Sequence, residues 1–535
     1  MALTESYWPG TEVAIHESTV GGSLRAAAEA TPDAPALTGG APDPAARRTW
    51  TYAELLEEAE RTARALLARF EPGDHVAIWA HNVPEWILLE YGMGLAGIVL
   101  VTVNPALRPE EGRYVLEQSK ARGVFTVDAF RDQSLTKVAR DLQADLPGLE
   151  LVIAVDEWDD FLAAGDPSTS LPDVAPDDPA QVQYTSGTTG FPKGARLHHR
   201  GITNNGRLTR DQLAPEPCTH VNPMPLFHTG GCVLGVLGAV SAGDHLVMLE
   251  QFDPAVQLEL VETHAATITA GVPTMLIAAI NHPDFETRDV SSVEYVLSGG
   301  AMVPPDLVNH IESSLGASFQ IVYGQTELSP VCNMTRRDDS LEDKGATVGP
   351  PLDPVEIKVV DVESGATVDC GAEGEICARG YLVMLDYFDM PEVTAETIDA
   401  DGWLHTGDLG TMDDRGYIAI TGRLKDMIIR GGENLFPAEI ENRIYEHPSV
   451  ASVAVVGVPD DTWGEQVVAV VQPADAEAGI DPAALSAFCR ETMASQKVPR
   501  RWYSTGDFPL TGSGKIQKFV LVEQIEKGLL QPSGG

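Results

Sequence analysis

The sequence predicts an α/β protein, in which a large N-terminal domain of several subdomains carries layered, mostly parallel sheets. A small, mobile C-terminal α+β domain follows it. Two observations lead to this prediction. Apolar strand-like runs alternate with helical patterns through most of the 535 residues, as expected for βαβ units. The pattern then changes after Gly402, where Asp- and Gly-rich turns begin.

The alternation is visible in both halves of the predicted large domain. In the first half, the strand-like runs DHVAIWA, IVLVTVN and GVFTVD surround the helical pattern WILLEYGMGLAG. An acidic, Pro-rich connection at 166–179 precedes the second half, which begins at His220 with VNPMP, HLVML, the helix Pro254–His264, ATITAGV and VEYVLSGG. Ligands of such sheets bind at the carboxyl ends of the strands.

The end of the chain predicts a separate small unit. A helix is expected to begin at Pro437, followed by two strands around ASVAVVGVP and QVVAVVQP and by another helix from Pro482.

Composition and charge exclude several classes of protein. With 36 basic and 79 acidic residues the formal net charge is -43, which would repel nucleic acid and anionic lipid. The six cysteines form no C-x-x-C pair, so we expect reduced thiols and a cytoplasmic, soluble protein. No basic, apolar leader opens the sequence, and its longest apolar runs are too short to span a membrane.

The strongest local motif is the segment Tyr184–Gly194, YTSGTTGFPKG. Small residues allow backbone N–H groups to approach an anion, hydroxyls add donors, and the lysine adds positive charge, so this loop is suited to phosphate. It does not have the spacing of a Walker P-loop, nor does the segment around Lys515, where Ile516 follows the lysine. P-loop kinases and ATPases are therefore disfavoured.

Further motifs accompany this loop in a fixed order. They are PLFHTGG, SGGA, YGQTE, DGWLHTGD, GRLKD, GGENLFPAEIE and PLTGSGKIQK, and they extend from about residue 180 to 520. The ordered set resembles the adenylate-forming superfamily of acyl-CoA synthetases, peptide-synthetase adenylation domains and firefly-type luciferases. The closest resemblance is to acyl-CoA ligases.

The resemblance implies a two-step reaction that uses ATP, Mg²⁺ and coenzyme A. A carboxylic acid would form an acyl-adenylate and pyrophosphate, and CoA would then take the acyl group. Lys515 would contact both the carboxylate and the α-phosphate during adenylation and withdraw afterwards. The implied boundary separates residues 1–423 from 424–535, with a hinge at Lys425.

The resemblance also implies a role for each matching residue. Thr326 would bond the α-phosphate, Glu327 would hold Mg²⁺, Tyr323 would stack on adenine, and Asp408 and Arg423 would bind the ribose. The other implied nucleotide and CoA contacts are Ser186, Gly187, Thr188, Thr189, Gly190 and Lys193 for the phosphates, Gly299, Gly300, Ala301 and Gly324 for adenine, and Gly431 and Gly432 for pantetheine.

The acid pocket is expected to be apolar, with room for a bulky acyl group. His228 has the position that commonly gates the pocket in the family, and Gly230 and Gly231 beside it are expected to leave space. The other expected wall residues are Val272, Ser298, Gly324, Pro330 and Val331. No charged residue in these stretches indicates recognition of an amino group.

Two departures from the family pattern leave alternatives open. Ile321 stands where many relatives have Gln, Glu or Asn, and Asp386 stands where the family often has glycine. The Ile321 departure keeps open an enzyme that only transfers a preformed acyl-adenylate to CoA. An enzyme that loads a free-standing carrier protein is a separate alternative. A homodimer is allowed, and the sequence leaves the oligomeric state open.

Overall fold

The computed structural model describes residues 2–185, 192–301, 303–430, 433–460, 462–475, 478–510 and 516–533. The first part of the chain contains these elements in order: β1 Tyr7–Trp8, α1 Val20–Ala30, β2 Pro35–Gly40, β3 Thr49–Thr51, α2 Tyr52–Leu67, β4 His75–Trp79, α3 Pro84–Ala96, β5 Val99–Val103, α4 Pro109–Gln118, β6 Gly123–Thr126, β7 Ala129–Phe130, β8 Gln133–Ser134, α5 Leu135–Gln143, β9 Leu151–Ala154 and α6 Trp158–Ala163.

The middle of the chain continues the alternation of strands and helices. Its elements are β10 Pro179–Thr185, β11 Lys193–His198, α7 His199–Leu213, β12 Thr219–Asn222, a π-helix at Gly230–Leu237, α8 Gly238–Ala242, β13 His245–Leu249, α9 Pro254–His264, β14 Ile268–Ala270, α10 Pro273–Ile280, β15 Tyr295–Gly299, α11 Pro305–Leu315, β16 Ser318–Gly324, β17 Val331–Met334, α12 Leu341–Ala346 and β18 Glu356–Val360.

The last part of the chain is richer in antiparallel strands. It contains β19 Gly374–Arg379, β20 Asp386–Tyr387, α13 Pro391–Thr397, β21 Leu404–Met412, β22 Ile418–Arg423, β23 Ile428–Arg430, β24 Glu433–Leu435, α14 Pro437–Tyr445, β25 Val450–Asp460, β26 Gly464–Pro473, α15 Pro482–Arg490, β27 Arg501–Ser504 and α16 Lys518–Glu526.

Two large sheets confirm the predicted layered α/β class. One has the strand order β20-β11-β10-β5-β4-β6-β9 and the other β17-β16-β15-β14-β12-β13-β2-β3. Their central pairs are parallel, and three of their four margins are antiparallel, whereas the margin formed by β6 and β9 is parallel. The strands β13 and β14 lie on opposite sides of β12, so the strand order reverses there. Such a reversal opens a crevice at the carboxyl ends of the strands.

Besides the two-stranded sheet β7-β8, two mainly antiparallel sheets of five strands complete the described structure. The order β1-β18-β19-β21-β22 forms one of them, and β24-β23-β26-β25 with β27 beside β26 forms the other. The second sheet, with α14, α15 and α16, is the small α+β unit that the sequence predicts. It has apolar clusters of its own, built around Ile440, Val455 and Val468.

Local sequence explains where several helices begin and end. Thr51 and Glu54 form a reciprocal capping box at the start of α2, and Asp253 accepts two backbone N–H groups at the start of α9. Gly97 ends α3 in a left-handed conformation. None of the described helices has the length and apolarity that crossing a membrane requires.

Candidate active site

Asp408 lies at the centre of a hydrogen-bonded group formed by β16, β21 and β22. The hydroxyl of Tyr323 donates to Asp408 Oδ2 at 2.8 Å, and Arg423 Nε lies 2.7 Å from Asp408 Oδ1. Asp408 and Arg423 are directly paired in the β21–β22 ladder. Asp408 is 3% exposed, so its charge is stabilised by these two partners. Burial and the Asp408 charge raise the pKa of Tyr323 well above its usual value, which keeps the hydroxyl a donor.

A second group joins Glu327, Tyr387 and Lys193. Glu327 lies in the short turn after β16, and its Oε1 accepts a hydrogen bond of 2.5 Å from the Tyr387 hydroxyl. Lys193 Nζ lies 4.1 Å from the centre of the Tyr387 ring. Burial lowers the pKa of Lys193, and the positive charge of Lys425 lowers it further, while Glu327 and Glu396 oppose the shift. The structure therefore brings together three sequence-predicted residues, Lys193, Glu327 and Lys425.

The loops after β15 and β16 meet because these strands are parallel neighbours. Gly299 is paired with Val322, one residue before Tyr323. A Cβ at Gly299 would lie 2.4 Å from the Val322 carbonyl oxygen, so the close approach of the two strands requires glycine there. A Cβ at Gly324 would lie 2.0 Å from the Pro330 carbonyl oxygen, so a side chain there would disturb the turn between β16 and β17. The predicted residues Gly299, Gly300, Ala301, Gly324 and Thr326 thus lie on two adjoining strand ends.

His228 lies in the turn between β12 and the π-helix. Its Nδ1 accepts a hydrogen bond from the Gly230 N–H at 3.1 Å, and its carbonyl accepts from Gly231 and Cys232. Segments of π-helix are rare and occur often at functional sites.

Gly231, where the sequence leads us to expect space for the acyl group, is closely packed on the side where a Cβ would lie. A Cβ at Gly231 would lie 2.1 Å from the Pro225 carbonyl oxygen, so this glycine is required by close backbone packing. A Cβ at Gly230 would meet Met224 at 3.2 Å and His228 at 3.4 Å, which leaves little room there. A glycine in a sequence can indicate either an open pocket or the close packing of two backbone segments, and the sequence alone does not distinguish them.

The other expected wall residues have mixed surroundings. The Ser298 hydroxyl donates to the Gly271 carbonyl at 2.8 Å, so it is already engaged. Val331 is buried, and its N–H is held by Asn205. Val272 is half-buried at the start of α10, and Pro330 follows β16 next to Gly324.

The two departures from the family pattern have structural surroundings of different kinds. Ile321 is buried in the same apolar cluster as Phe319 and Val303. Asp386 forms an ion pair with Arg196, whose Nε lies 3.0 Å from Asp386 Oδ1. A second contact joins Arg196 Nη2 to Asp386 Oδ2. Asp386 thus links β20 to β11.

Several sequence-predicted residues lie outside the described residues. They are Ser186, Gly187, Thr188, Thr189, Gly190, Gly431, Gly432 and Lys515.

Sequence analysis missed Tyr387 and Asn82. Tyr387 holds Glu327, and Asn82 bonds to Met224, Leu226 and Leu249 near His228. Neither lies in a motif used above. The available signal for Tyr387 was its position directly after Asp386. The available signal for Asn82 was an asparagine shortly after a buried strand.

A group of potential metal ligands lies near Asp408. Donor atoms of Glu375, Cys377 and His405 are within 4.8 Å of one another. Glu375 Oε2 lies 2.7 Å from His405 Nδ1, and Glu375 Oε1 accepts the Gly407 N–H at 3.0 Å. The bond to Glu375 raises the pKa of His405, and burial raises that of the Cys377 thiol. These hydrogen bonds account for the cluster without an ion.

Comparison with known proteins identifies the class. The AMP-binding enzyme family matches residues 24–388, and the C-terminal domain of AMP-binding enzymes matches residues 439–515. The chain is 39% identical to the putative acyl-CoA synthetase YngI of Bacillus subtilis, with 95% of this chain and 97% of that protein covered. It is 35% identical to the human mitochondrial medium-chain acyl-CoA ligase ACSF2, with 98% and 90% covered.

Solved structures agree with the sequence relatives. ATP-bound MatB from Rhodopseudomonas palustris matches with a TM-score of 0.86 and 30% identity, covering 96% of this chain and 99% of that one. The anthranilate CoA ligase AuaEII, in complex with anthranoyl-AMP, matches with a TM-score of 0.85 and 25% identity, covering 96% and 98%. The chain belongs to the AMP-binding enzyme family and is an enzyme of the acyl-CoA synthetase class.

Proposed function

We propose that this protein is an ATP-dependent carboxylic acid:CoA ligase that acts on an apolar acid. In the first step a carboxylate oxygen attacks the α-phosphorus of ATP, the acyl–phosphate bond forms, and pyrophosphate leaves. In the second step the thiolate of CoA attacks the carbonyl carbon, the thioester forms, and AMP leaves. The observation that carries this proposal is the joining of Lys193 and Glu327 through Tyr387 beside the loops after β15 and β16.

The residues present fit magnesium, the ion that the family implies. Mg²⁺ prefers oxygen ligands, and Glu327 offers a carboxylate that is 8% exposed. Tyr387 uses one of its oxygens, and no other hydrogen bond to this carboxylate comes from the described residues. When bound, the ion would neutralise charge on the phosphates. Glu327 is therefore the proposed metal ligand.

Each remaining residue has a role that its chemistry supports. Lys193 offers positive charge to the phosphates, and its lowered pKa reflects a desolvated ammonium whose field is little screened. Asp408 is held in place by Arg423 and Tyr323 and is the proposed acceptor for the ribose hydroxyls. Lys515 is the proposed catalytic cation of adenylation, by its match to the family motif.

The names of the relatives support the apolar character of the acid, since ACSF2 is named as a medium-chain acyl-CoA ligase. Burial of an apolar acyl body would contribute most of the affinity. A small apolar cavity of about 30 Å³ lies among α9, α10, α11 and the sheet, with Leu258, Leu276 and Ile311 in its lining. Its volume is too small for an acyl chain, so it is not the proposed acid pocket.

The change of sheet after Arg423 supports the proposed boundary between residues 1–423 and 424–535. The strand β22 is paired with β21, whereas β23 is paired with β24 and β26. Lys425 lies in the single turn Leu424–Asp426 between them. We therefore keep Lys425 as the hinge about which the small domain turns between the two steps.

The function is tested by mass spectrometry of the protein with ATP, Mg²⁺ and a set of acids, with and without CoA. The acids are octanoate, decanoate, benzoate and malonate. We expect acyl-AMP without CoA and acyl-CoA with it for the monocarboxylic acids, and little product from the doubly charged malonate. Lys515→Ala should lose adenylation at least tenfold while it still converts a supplied acyl-adenylate.

Three results would contradict the proposal. Acyl-CoA formed only from a supplied acyl-adenylate would mean an enzyme of thiolation alone. Adenylate without any thioester would mean another acceptor, such as a carrier protein. Preference for malonate would overturn the apolar pocket.

A further inference from the structure

Tyr387 lies between two groups of opposite charge that the proposed function assigns to the triphosphate. We propose that Tyr387 is a positioning residue that holds the Glu327 carboxylate and the Lys193 ammonium at the spacing that magnesium-bound ATP requires. This inference rests on the proposed function, and it assigns a role to a residue outside the family motifs recognised in the sequence.

The contact with Glu327 fixes a buried carboxylate. The Tyr387 hydroxyl donates to Glu327 Oε1 at 2.5 Å, and the two residues are 4% and 8% exposed. A buried carboxylate is costly unless it is hydrogen-bonded. The bond also fixes the direction of the second carboxylate oxygen, since the two oxygens turn together.

The contact with Lys193 uses the face of the same ring. Lys193 Nζ lies 4.1 Å from the ring centre, within the range in which an aromatic face attracts a cation. Burial disfavours this ammonium and lowers its pKa, and Lys425 adds a like charge. The ring face therefore offsets part of the cost of partly burying this cation, and it does not neutralise the charge as a full ion pair would.

The backbone around Tyr387 prevents the ring from shifting. The strand β20 is paired with β11, with Ala195 opposite Tyr387. Asp386 is held by Arg196, and the Tyr387 N–H donates to Thr394 Oγ1 at 3.0 Å. The Phe388 N–H donates to the Gly194 carbonyl at 2.8 Å. Because Lys193 begins β11, the strand pairing itself sets the distance from the lysine to the ring.

A purely structural role for Tyr387 makes a different prediction. Tyr387 belongs to a large apolar cluster, and a packing residue would tolerate loss of its hydroxyl. Tyr387→Phe keeps the ring and its contact with Lys193 but removes the bond to Glu327. Tyr387→Leu removes both contacts. Tyr52→Phe is the matched control, because Tyr52 is fully buried and donates to the Asp244 carbonyl at 2.7 Å, away from the site.

The measurement is binding of ATP and of AMP by isothermal titration calorimetry at a series of free Mg²⁺ concentrations, without acid or CoA. For Tyr387→Phe, we expect the Mg²⁺ concentration that gives half-maximal enhancement of ATP binding to rise about fivefold to twentyfold. A change of this size is typical of the loss of one charge-assisted hydrogen bond. Its affinity for AMP should stay within twofold. Tyr387→Leu should also weaken ATP relative to AMP in EDTA, and Tyr52→Phe should change none of these quantities.

A double-mutant cycle keeps the test decisive if Tyr387→Leu does not fold. If Tyr387 acts through Glu327, then Tyr387→Phe should have no further effect on Mg²⁺ dependence in an E327Q protein. An unchanged Mg²⁺ dependence in Tyr387→Phe alone, or full additivity with E327Q, would overturn the inference while the proposed function stands. If the wild-type protein binds ATP equally with and without Mg²⁺, the metal role of Glu327 fails and the inference fails with it.

Discussion

At the scale of single residues, Asp408 is the most fully engaged carboxylate of the candidate site. Tyr323 and Arg423 each hold one of its oxygens. Because the β21–β22 ladder places Asp408 directly opposite Arg423, the carboxylate is oriented before any nucleotide binds. Little reorganisation is then required when ribose hydroxyls approach.

Asp408→Asn should weaken ATP use selectively. An amide keeps one acceptor oxygen and loses the charge, so it cannot serve Arg423 and two hydroxyls together. We expect KM for ATP to rise tenfold to about a hundredfold, the range for loss of a charged hydrogen bond, while KM for the acid changes less than threefold. Steady-state kinetics measures both. Asp413→Asn removes the same charge where Asp413 binds Arg415, and equal KM values for ATP in the two variants would refute the assignment.

His220 gives a prediction for stability against pH. It is 3% exposed on β12, and both ring nitrogens lack a hydrogen-bond partner within the described ranges. Burial lowers its pKa to about 3. Because the unfolded chain binds the proton near pH 6.5, the contribution of His220 to stability is complete above that pH and is lost as the pH falls toward 3.

His220→Phe should therefore reduce the loss of stability in acid. Between pH 7.5 and pH 5, we expect the free energy of unfolding to fall by about 2 kcal/mol less in the variant than in the wild type. Urea unfolding at the two pH values measures this difference. The exposed His310→Phe serves as control. The same pH dependence in His220→Phe and the wild type would show that the buried imidazole does not control it.

At the scale of elements, Asn82 ties both large sheets to the turn before His228. It follows β4, and its Nδ2 donates to the carbonyls of Met224 at 3.0 Å and Leu249 at 2.9 Å. Its Oδ1 accepts the Leu226 N–H at 2.8 Å. All three bonds are buried or nearly so, and they fix the backbone two residues before the proposed gate.

Asn82→Ala should affect use of the acid more than use of ATP. We expect KM for the acid to rise at least fivefold, with KM for ATP within twofold, and stability to fall by about 2–4 kcal/mol because buried backbone groups lose partners. Asn204→Ala is the control, since Asn204 also makes three such bonds, to His16 and Arg200. If both variants alter KM for the acid equally, general destabilisation explains the effect.

The sequence predicted the elements better than the contacts between them. Apolar runs in the sequence were enough to predict the strands β4, β5, β13 and β15, because a strand buried on both faces is apolar along nearly its whole length. Motifs pointed to Asp408 and Glu327, whose proposed roles remain predictions. Tyr387 and Asn82 were missed because their partners lie 60 and 142 residues away along the chain, and no local pattern encodes such a distance. The close packing of Gly231 against the Pro225 carbonyl was not apparent either, because a glycine in a sequence does not show which atoms surround it.

At the scale of the whole molecule, the turn at Lys425 is the proposed pivot. Lys425→Pro restricts φ there and should leave adenylation within threefold while thioester formation falls at least tenfold. Acyl-AMP and acyl-CoA are measured separately in single-turnover reactions. Lys425→Gln removes the same charge near Lys193 but keeps backbone rotation, so it should retain the second step. Equal losses in both steps for Lys425→Pro would contradict a pivot.

The excess of acidic residues makes stability depend on salt. With a formal net charge of -43, like charges repel one another across the folded surface, and salt screens this repulsion. We expect Tm to rise as KCl increases from about 0.05 M to 1 M, a range over which the screening length falls from roughly 14 Å to 3 Å. Thermal unfolding followed by circular dichroism measures this. A flat or falling Tm would mean that local ion pairs dominate.

The two-residue strand β20 also has a consequence for self-association. It forms the outer edge of the seven-stranded sheet. Unpaired backbone N–H and C=O groups at such an edge can pair with a strand from another chain. A very short edge carrying the charged pair Asp386 and Arg196 is a poor template for such addition. Replacing Asp386 by the glycine common in relatives would therefore remove a barrier to aggregation at the same edge that positions Lys193, the proposed phosphate ligand.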